Sequence, residues 1–214
     1  MKLTELKRII IKKEKNMSIM NEDEVLGIYR SIGALLEGHF ILSSGLHSRM
    51  YLQSALVCSN ANIAEELCIN LAKKVRDLID INTIDMIVSP AMGGVIVGYE
   101  LSRHLKKTNI FAERKDGVFS IRRGFQINQD SKVLVVEDIV TTGKSSLECF
   151  KCIHDLGGEV VAEAALINRG GKSVDLGVPL ITLANLDIPN YDEENLPEDL
   201  KNIPAIKPGS RPGT

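Results

Sequence analysis

The chain has 214 residues, of which 44% are hydrophobic and 25% charged, and its formal net charge is −2. That length suits one α/β domain with a substantial core, and the near-neutral balance argues against a broad nucleic-acid-binding face. No apolar run approaches the roughly 20 residues that span a bilayer, so a soluble protein with no membrane partner is expected.

Residues 1–20 read as an N-terminal extension. Through Asn16 it carries six Lys/Arg and two acids, with Ile9-Ile10-Ile11 as its apolar cluster. The cluster is too short for a signal-peptide core, and no small-residue cleavage site follows it. A frayed amphipathic helix and an upstream start codon, with Met17 or Met20 as alternatives, are the two readings.

Residues 21–214 form the expected single domain. Asn21 can cap a helix, Glu22, Asp23 and Glu24 complement its N-terminus, and Val25, Ile28, Ile32 and Leu35-Leu36 give it an apolar stripe that ends at Gly38. Strands are expected over 40–57 with a turn at Ser44-Gly45, then a helix over 61–78. A buried strand at 85–89 leads into a helix at 94–107, and another strand covers 109–113. Asp116-Gly117 between Phe111–Lys115 and Val118–Arg123 signals a two-residue hairpin. A strand at 132–136, a helix at 145–156 and strands at 160–168 and 180–184 follow. Strands alternating with helices imply a mainly parallel sheet flanked by helices. From Pro189 the chain is polar and proline-rich and is expected to wrap the surface.

The four cysteines make no disulfide framework and suit a reducing cytoplasm. Cys149 and Cys152 form a C-x-x-C, but late in a helix, where a lowered thiol pKa is not expected. They read as core or flank residues. His39, His47, His104 and His154 show no metal-ligand spacing and read as surface or capping residues, with His47 near one candidate ligand loop.

The chemistry concentrates in Val133 to Ser146. An apolar β-branched run, Val133-Leu134-Val135-Val136, reads as a strand covered on both faces, with Glu137 and Asp138 at its carboxyl end. Ile139-Val140-Thr141-Thr142-Gly143-Lys144-Ser145 then offers backbone N–H groups, hydroxyls and a helix N-terminus, which suit a phosphate. Acids beside a phosphate cradle fit a sugar phosphate, with the carboxylates accepting from vicinal hydroxyls. Gly143-Lys144-Ser145 imitates the end of a P-loop, but Asp138 stands where that pattern needs its first glycine.

This segment resembles the phosphoribosyl-pyrophosphate (PRPP) signature of the type I phosphoribosyltransferases. Phe40 to Gly45 with Ser48 and Tyr51, Ser89-Pro90-Ala91-Met92-Gly93-Gly94, Phe111 to Lys115 and Arg122-Arg123-Gly124-Phe125 narrow the resemblance to the orotate phosphoribosyltransferases. The closing Lys207-Pro208-Gly209-Ser210-Arg211-Pro212 resembles a Thermus-type branch. The resemblance implies a type I fold with a small hood and a flexible hairpin lid, Mg2+ as cofactor, orotate and PRPP as substrates, and a cytoplasmic homodimer with shared active sites. It implies that Glu137 to Ser145 bind PRPP, that Thr141 and Arg169 bind orotate, and that Glu137, Asp138, Arg114 and Lys115 are catalytic. Gly93, Gly94, Arg122 and Arg123 become candidates for the pyrophosphate and the lid. Enteric-type members carry a loop lysine and histidine absent between Asp116 and Ile121 here; a strand-end lysine is replaced by Gly93, and an N-terminal one by Ser43. No obvious general acid remains, since arginine does not give up its proton at neutral pH. A purine or xanthine phosphoribosyltransferase, and a nucleotide-sensing regulator of the same fold, are the alternatives.

Overall fold

The computed structural model describes residues 18–42 and 44–208. The readings that fall on residues 1–17, on Ser43 and on the terminal motif from Gly209 onward lie outside the described residues.

Asn21 caps α1 (Glu22–Ser31): its side chain accepts from the Glu24 N–H, and the Glu24 carboxylate accepts from the Asn21 N–H, a capping box. The helix is shorter than its apolar stripe suggests. It stops at Ser31, the chain turns at Gly33 (φ +69°), and Leu35-Leu36 open β1 (Leu35–Ile41). Leu35 enters the core that Val25 and Tyr29 fill, but from a strand, so apolar spacing alone did not separate the two elements. β1 pairs antiparallel with β2 (His47–Leu52). Residues 54–57 are not strand but part of α2 (Ser54–Ser59), which buries Ser54 and Val57 at helical spacing. α3 (Ala61–Leu78) has the expected bounds, with Asn60 accepting from the N–H groups of Asn62 and Ile63.

Strands and helices then alternate: β3 (Met86–Pro90), α4 (Gly93–Leu105), β4 (Thr108–Lys115), β5 (Val118–Ile121), β6 (Lys132–Val140), α5 (Lys144–Asp155), β7 (Glu159–Asn168) and β8 (Leu180–Asn185). Six strands form one sheet in the order β5-β4-β3-β6-β7-β8, parallel except for the β4–β5 hairpin. Asp116 and Gly117 both take positive φ at that hairpin's turn, as its primed geometry requires. A smaller antiparallel sheet, β1-β2-β9 with β9 at Asn190–Tyr191, makes a hood.

The period of two along β6 divides the core. Leu134 and Val136 enter one cluster with α1, α3 and α4, while Val133 and Val135 enter a second with Cys149, Phe150 and Ile153 of α5. Each such side chain, taken from water, stabilises the fold by about 1.5–3 kcal/mol. A strand buried on both faces by these side chains cannot slip register without moving every one of them to the wrong side.

The tail is built in more firmly than its composition suggests. After β9 it forms α6 (Glu198–Lys201), whose Leu200 is buried, and Ile206 pairs with Phe40 of β1. His39 Nδ1 donates to Ile203 O at 2.8 Å, and its Nε2 lies 2.6 Å from His47 Nδ1. Both histidines are buried, contrary to the surface or capping role expected of them; the tail lies against them, Ile203 at His39 and Tyr191 beside His47. His104 is half-buried and lies 3.0 Å from Glu100, with Glu65 beside them, whereas His154 is exposed, in line with that role. All four cysteines are free, with Cys149 in the core and Cys152 half-buried. Among the described residues no helix is long and apolar enough to cross a membrane.

Candidate active site

The carboxyl ends of β3, β6 and β7 gather the site. β6 runs to Val140, so Glu137 and Asp138 lie inside the strand, two to three residues before its end, not at its last positions. The strand's alternation still governs them. Glu137 keeps the parity of Val133 and Val135, and its charge reaches Cys149; Asp138 keeps that of Leu134 and Val136, and its charge reaches Tyr29 and Cys58. Burial pushes both carboxyls above the usual range, and for Glu137 the neighbouring Asp138 charge adds to the effect. Neither acid makes an ion pair with a cationic side chain among the described residues.

Two adjacent carboxyls, Glu137 buried and Asp138 half-buried, without a cation are an unfavourable arrangement for the fold alone. Their hard oxygen donors suit Mg2+ directly or through its water, and equally the hydroxyls of a diol. The residues present therefore fit the expected cofactor.

Gly93 and Gly94 begin α4 against this pair. A Cβ at Gly93 would lie 2.5 Å from Asp138 Oδ1, and one at Gly94 would lie 2.6 Å from Val136 O and 3.0 Å from Glu137 Oε2. The close approach that these glycines allow is, within the chain itself, to the acid pair. Gly94 is buried, whereas Gly93 lines the cavity beside Asp138.

Beyond β6, Thr141-Thr142-Gly143 leads into α5. Gly143 takes the N-cap position at φ +76°, where a β-carbon is disfavoured, and no side chain caps the helix. The first-turn N–H groups of Ser145 and Ser146 are thus left without intrahelical partners at the mouth of the cavity, and that of Lys144 makes only a long bond, 3.4 Å, to Thr142 Oγ1. Ser146 Oγ is turned away, donating to Glu163 Oε1 at 2.9 Å. Glu163 is fully buried on β7, its other oxygen has no partner, and burial pushes its carboxyl up to about 7.

Two cavities meet here. One of about 440 Å³ is lined by Gly93, Arg114, and the run from Glu137 to Ser146. The other, about 880 Å³, lies under the hood and is lined by Leu42, Tyr51, Arg169 and Asn190 among others. Ile139, Thr141 and Thr142 line both. Arg169, from the turn after β7, is buried; its N–H is fixed to Val140 O at 2.7 Å, and its Nη2 donates to Ser48 Oγ and Asn190 Oδ1. Asn168 shapes that turn, accepting from the Gly170 N–H and donating to Gly171 O. Neither Asn168 nor Asn190 carried a local sequence signal. Asn190 becomes part of the site only when the hood pairs β9 with β2.

The basic hairpin is divided. Arg114 lines the first cavity, stacks 4.0 Å over the Phe119 ring and is ion-paired to Glu148, with Ser145 Oγ at 3.3 Å. Phe119 is buried, so the hairpin's base is packed and its tip exposed. Arg123 is held in a two-point pair with Glu113, whose carboxyl it keeps below the usual range. Lys115, Arg122 and Arg123 are exposed and line neither cavity.

Residues 59–177 match the phosphoribosyl transferase domain family. Among curated relatives, orotate phosphoribosyltransferase of Maricaulis maris is 53% identical over 193 residues, covering 90% of this chain and 98% of that protein. That of Methylobacterium sp. is 51% identical, covering 91% and 99%. The fold matches the crystal structure of orotate phosphoribosyltransferase from Aeropyrum pernix with a TM-score of 0.60 at 24% identity, covering 75% of this chain and 92% of that one. It also matches adenine phosphoribosyltransferase from Thermoanaerobacter pseudethanolicus, at 0.53 and 19% identity over 64% and 88%. The structural matches establish the type I fold, and identity near one half along almost the entire length of curated relatives separates the orotate enzymes from their purine counterparts: the chain belongs to the orotate phosphoribosyltransferase family.

Proposed function

We infer that this chain transfers the phosphoribosyl group of PRPP to orotate, giving orotidine 5′-monophosphate and pyrophosphate, a step of UMP biosynthesis. In this reading the bond from C1′ to the orotate N1 forms, the bond from C1′ to the pyrophosphate oxygen breaks, and the N1 proton passes to solvent. The observation that carries the residue assignments is the meeting of the two cavities at Thr141 and Thr142, with acids and open amides on one side and a buried arginine on the other.

Glu137 and Asp138 accept from the ribose diol and set negative charge beside a sugar that becomes oxocarbenium-like. The N–H groups from Thr142 to Ser145 hold the 5′-phosphate at the start of α5. Arg169 receives the orotate carboxylate, and Thr141 lies at the junction where base and sugar meet. Held by Glu137 and Asp138, Mg2+ would neutralise charge on the departing pyrophosphate. Arg114 is already at the phosphate side and needs only to leave Glu148 to reach an anion. Lys115, Arg122 and Arg123 would join it from a closing hairpin. An orotate-dependent pyrophosphate-release assay, run with and without Mg2+ and against adenine, hypoxanthine and xanthine, tests the reading. Turnover with a purine but not orotate overturns it.

The same reading includes a dimer. Met92, just before α4, and Ile96 and Tyr99 on it are exposed at 85%, 49% and 61%, a stripe at helical spacing beside the loop that lines the site. A second copy covering that stripe would bring two sites close together. Tyr99→Asp is expected to yield monomers in sedimentation; a wild-type chain already monomeric at assay concentration would remove the dimer from the proposal.

A further inference from the structure

Arg169 is held in an unusual way for a buried guanidinium. Its Nη2 donates to Ser48 Oγ at 2.9 Å and to Asn190 Oδ1 at 3.0 Å. Both acceptors are neutral, and no ion pair reaches Arg169 among the described residues. Burial alone lowers its proton affinity, with no carboxylate opposing the effect. A desolvated positive charge without a counter-ion costs stability, so the protein gains nothing from this arrangement until an anion arrives.

The hood presents the two acceptors together. Ser48 of β2 and Asn190 of β9 are direct partners in the antiparallel ladder. Their strands are fixed from behind by the tail: Arg49 pairs with Asp199, Ile206 exchanges backbone bonds with His39 and Ile41, and His39 joins His47. The two acceptors are therefore set by the sheet, and Arg169 is clamped from a sequence distance of 121 residues to Ser48.

We propose that Ser48 and Asn190 are positioning residues for base recognition, which clamp Arg169 through neutral acceptors only and so leave its charge for a carboxylate on the incoming pyrimidine. This rests on Arg169 as the orotate contact and adds the hood residues that make it selective. The identity of residue 190 is the informative point. Aspartate has the same shape and would form a stronger, charge-assisted bond to the guanidinium. It would also supply the counter-ion internally, and the substrate carboxylate would then compete with it. Asparagine gives the geometry without the charge.

The experiment is steady-state kinetics on Asn190→Ala, Asn190→Asp, Ser48→Ala, Ser48→Thr and Arg169→Gln, with KM measured for orotate and PRPP separately. Loss of one hydrogen bond to a charged group predicts a rise of about tenfold in KM for orotate in Asn190→Ala and Ser48→Ala, with KM for PRPP unchanged. Ser48→Thr, which keeps the hydroxyl, is expected to restore the wild-type value. Asn190→Asp is expected to raise KM for orotate more than Asn190→Ala, although its fold is preserved or strengthened by the new pair. Unchanged orotate KM in both Asn190 variants, an Asn190→Asp no worse than Asn190→Ala, or equal rises in the two substrates' KM each overturn the proposal. Arg169→Gln separates the two levels. If it leaves orotate KM unaltered, the assignment of Arg169 itself fails; if it raises KM while the Asn190 variants do not, only the clamp is wrong.

Discussion

The four long helices begin in two different ways. α1 and α3 are closed by asparagine caps, Asn21 with a full capping box and Asn60 with bonds to two N–H groups. α4 and α5 begin at Met92 and Gly143, neither of which caps the helix with a side chain; α5 has only a long bond from the Lys144 N–H to Thr142 Oγ1. The capped pair line neither cavity, whereas Gly93 and the first turn of α5 line the first. A side-chain cap is worth about 1 kcal/mol, and both open ends forgo it. Several acids on the surface, Glu37, Glu113, Glu159 and Asp155 among them, are paired with Arg or Lys, while Glu137 and Asp138 have no such partner. The uncapped helix starts and the two acids without a cation all face the first cavity, while the buried oxygen left without a partner among the described residues, Glu163 Oε2, lies behind it on the core side. That coincidence is better evidence for a ligand than any one of the groups.

The largest expected break of this contrast is at Asp138. Asp138→Asn keeps shape and burial and removes the charge, so it should relieve the fold and cripple the reaction. The expected outcome is a loss of kcat of about a hundredfold or more, with thermal stability equal to or above wild type. Wild-type turnover, or a loss of stability in step with the loss of rate, would put Asp138 among the packing residues instead.

This region was the most legible in the sequence, because its determinants are local. Val133 to Ser146 carries strand, acids, loop and helix start in one uninterrupted segment, and α3 was readable to the residue from its apolar period. Where the reading failed, the missing information was long-range. Leu35 looked helical because a strand residue and a helix stripe fill one core. His39 and His47 looked superficial because the tail residues that meet them, Ile203 and Tyr191, are more than 140 residues away in sequence. Gly93 and Gly94 were legible as a close approach but not as an approach to Asp138 and Glu137. Asn190 could not be distinguished from the polar tail around it until β9 joined the hood. The basic hairpin was found, but not that Glu148 and Glu113 already hold two of its arginines.

Glu163 sharpens the contrast by placing a second cost directly behind the open end of α5. It holds Ser146 from the core side and keeps one oxygen unpartnered. Burial raises its carboxyl to about 7, so between the ordinary carboxylate range and that value the folded protein binds a proton that the unfolded chain has released. Stability must therefore fall as pH rises through this window, with the full penalty in place above it. A shift of this size corresponds to on the order of 3 kcal/mol. In Glu163→Gln this contribution is absent. Urea unfolding of both proteins at about pH 5 and about pH 8 should show the variant gaining relative to wild type by most of that amount. Parallel pH dependences would mean that Glu163 titrates alike in both states.

The smallest effect belongs to the closed end of the comparison. Asn21→Ala removes both the acceptor for the Glu24 N–H and the partner geometry that lets Glu24 return the bond, so α1 should lose about 1 kcal/mol of stability. Its cap lines neither cavity, and kcat and both KM values should stay at wild-type levels. The outcome depends on Glu22 as well: its Oε1 accepts from the Asn185 N–H and Nδ2, which ties the same helix start to the end of β8. If the cap and this tether share one task, Asn21→Ala will cost less than expected alone and more than the sum when combined with Glu22→Gln, as a double-mutant cycle reads directly. A change in orotate KM in the single variant would show that the sheet end transmits to Arg169, and that the closed and open ends are not independent.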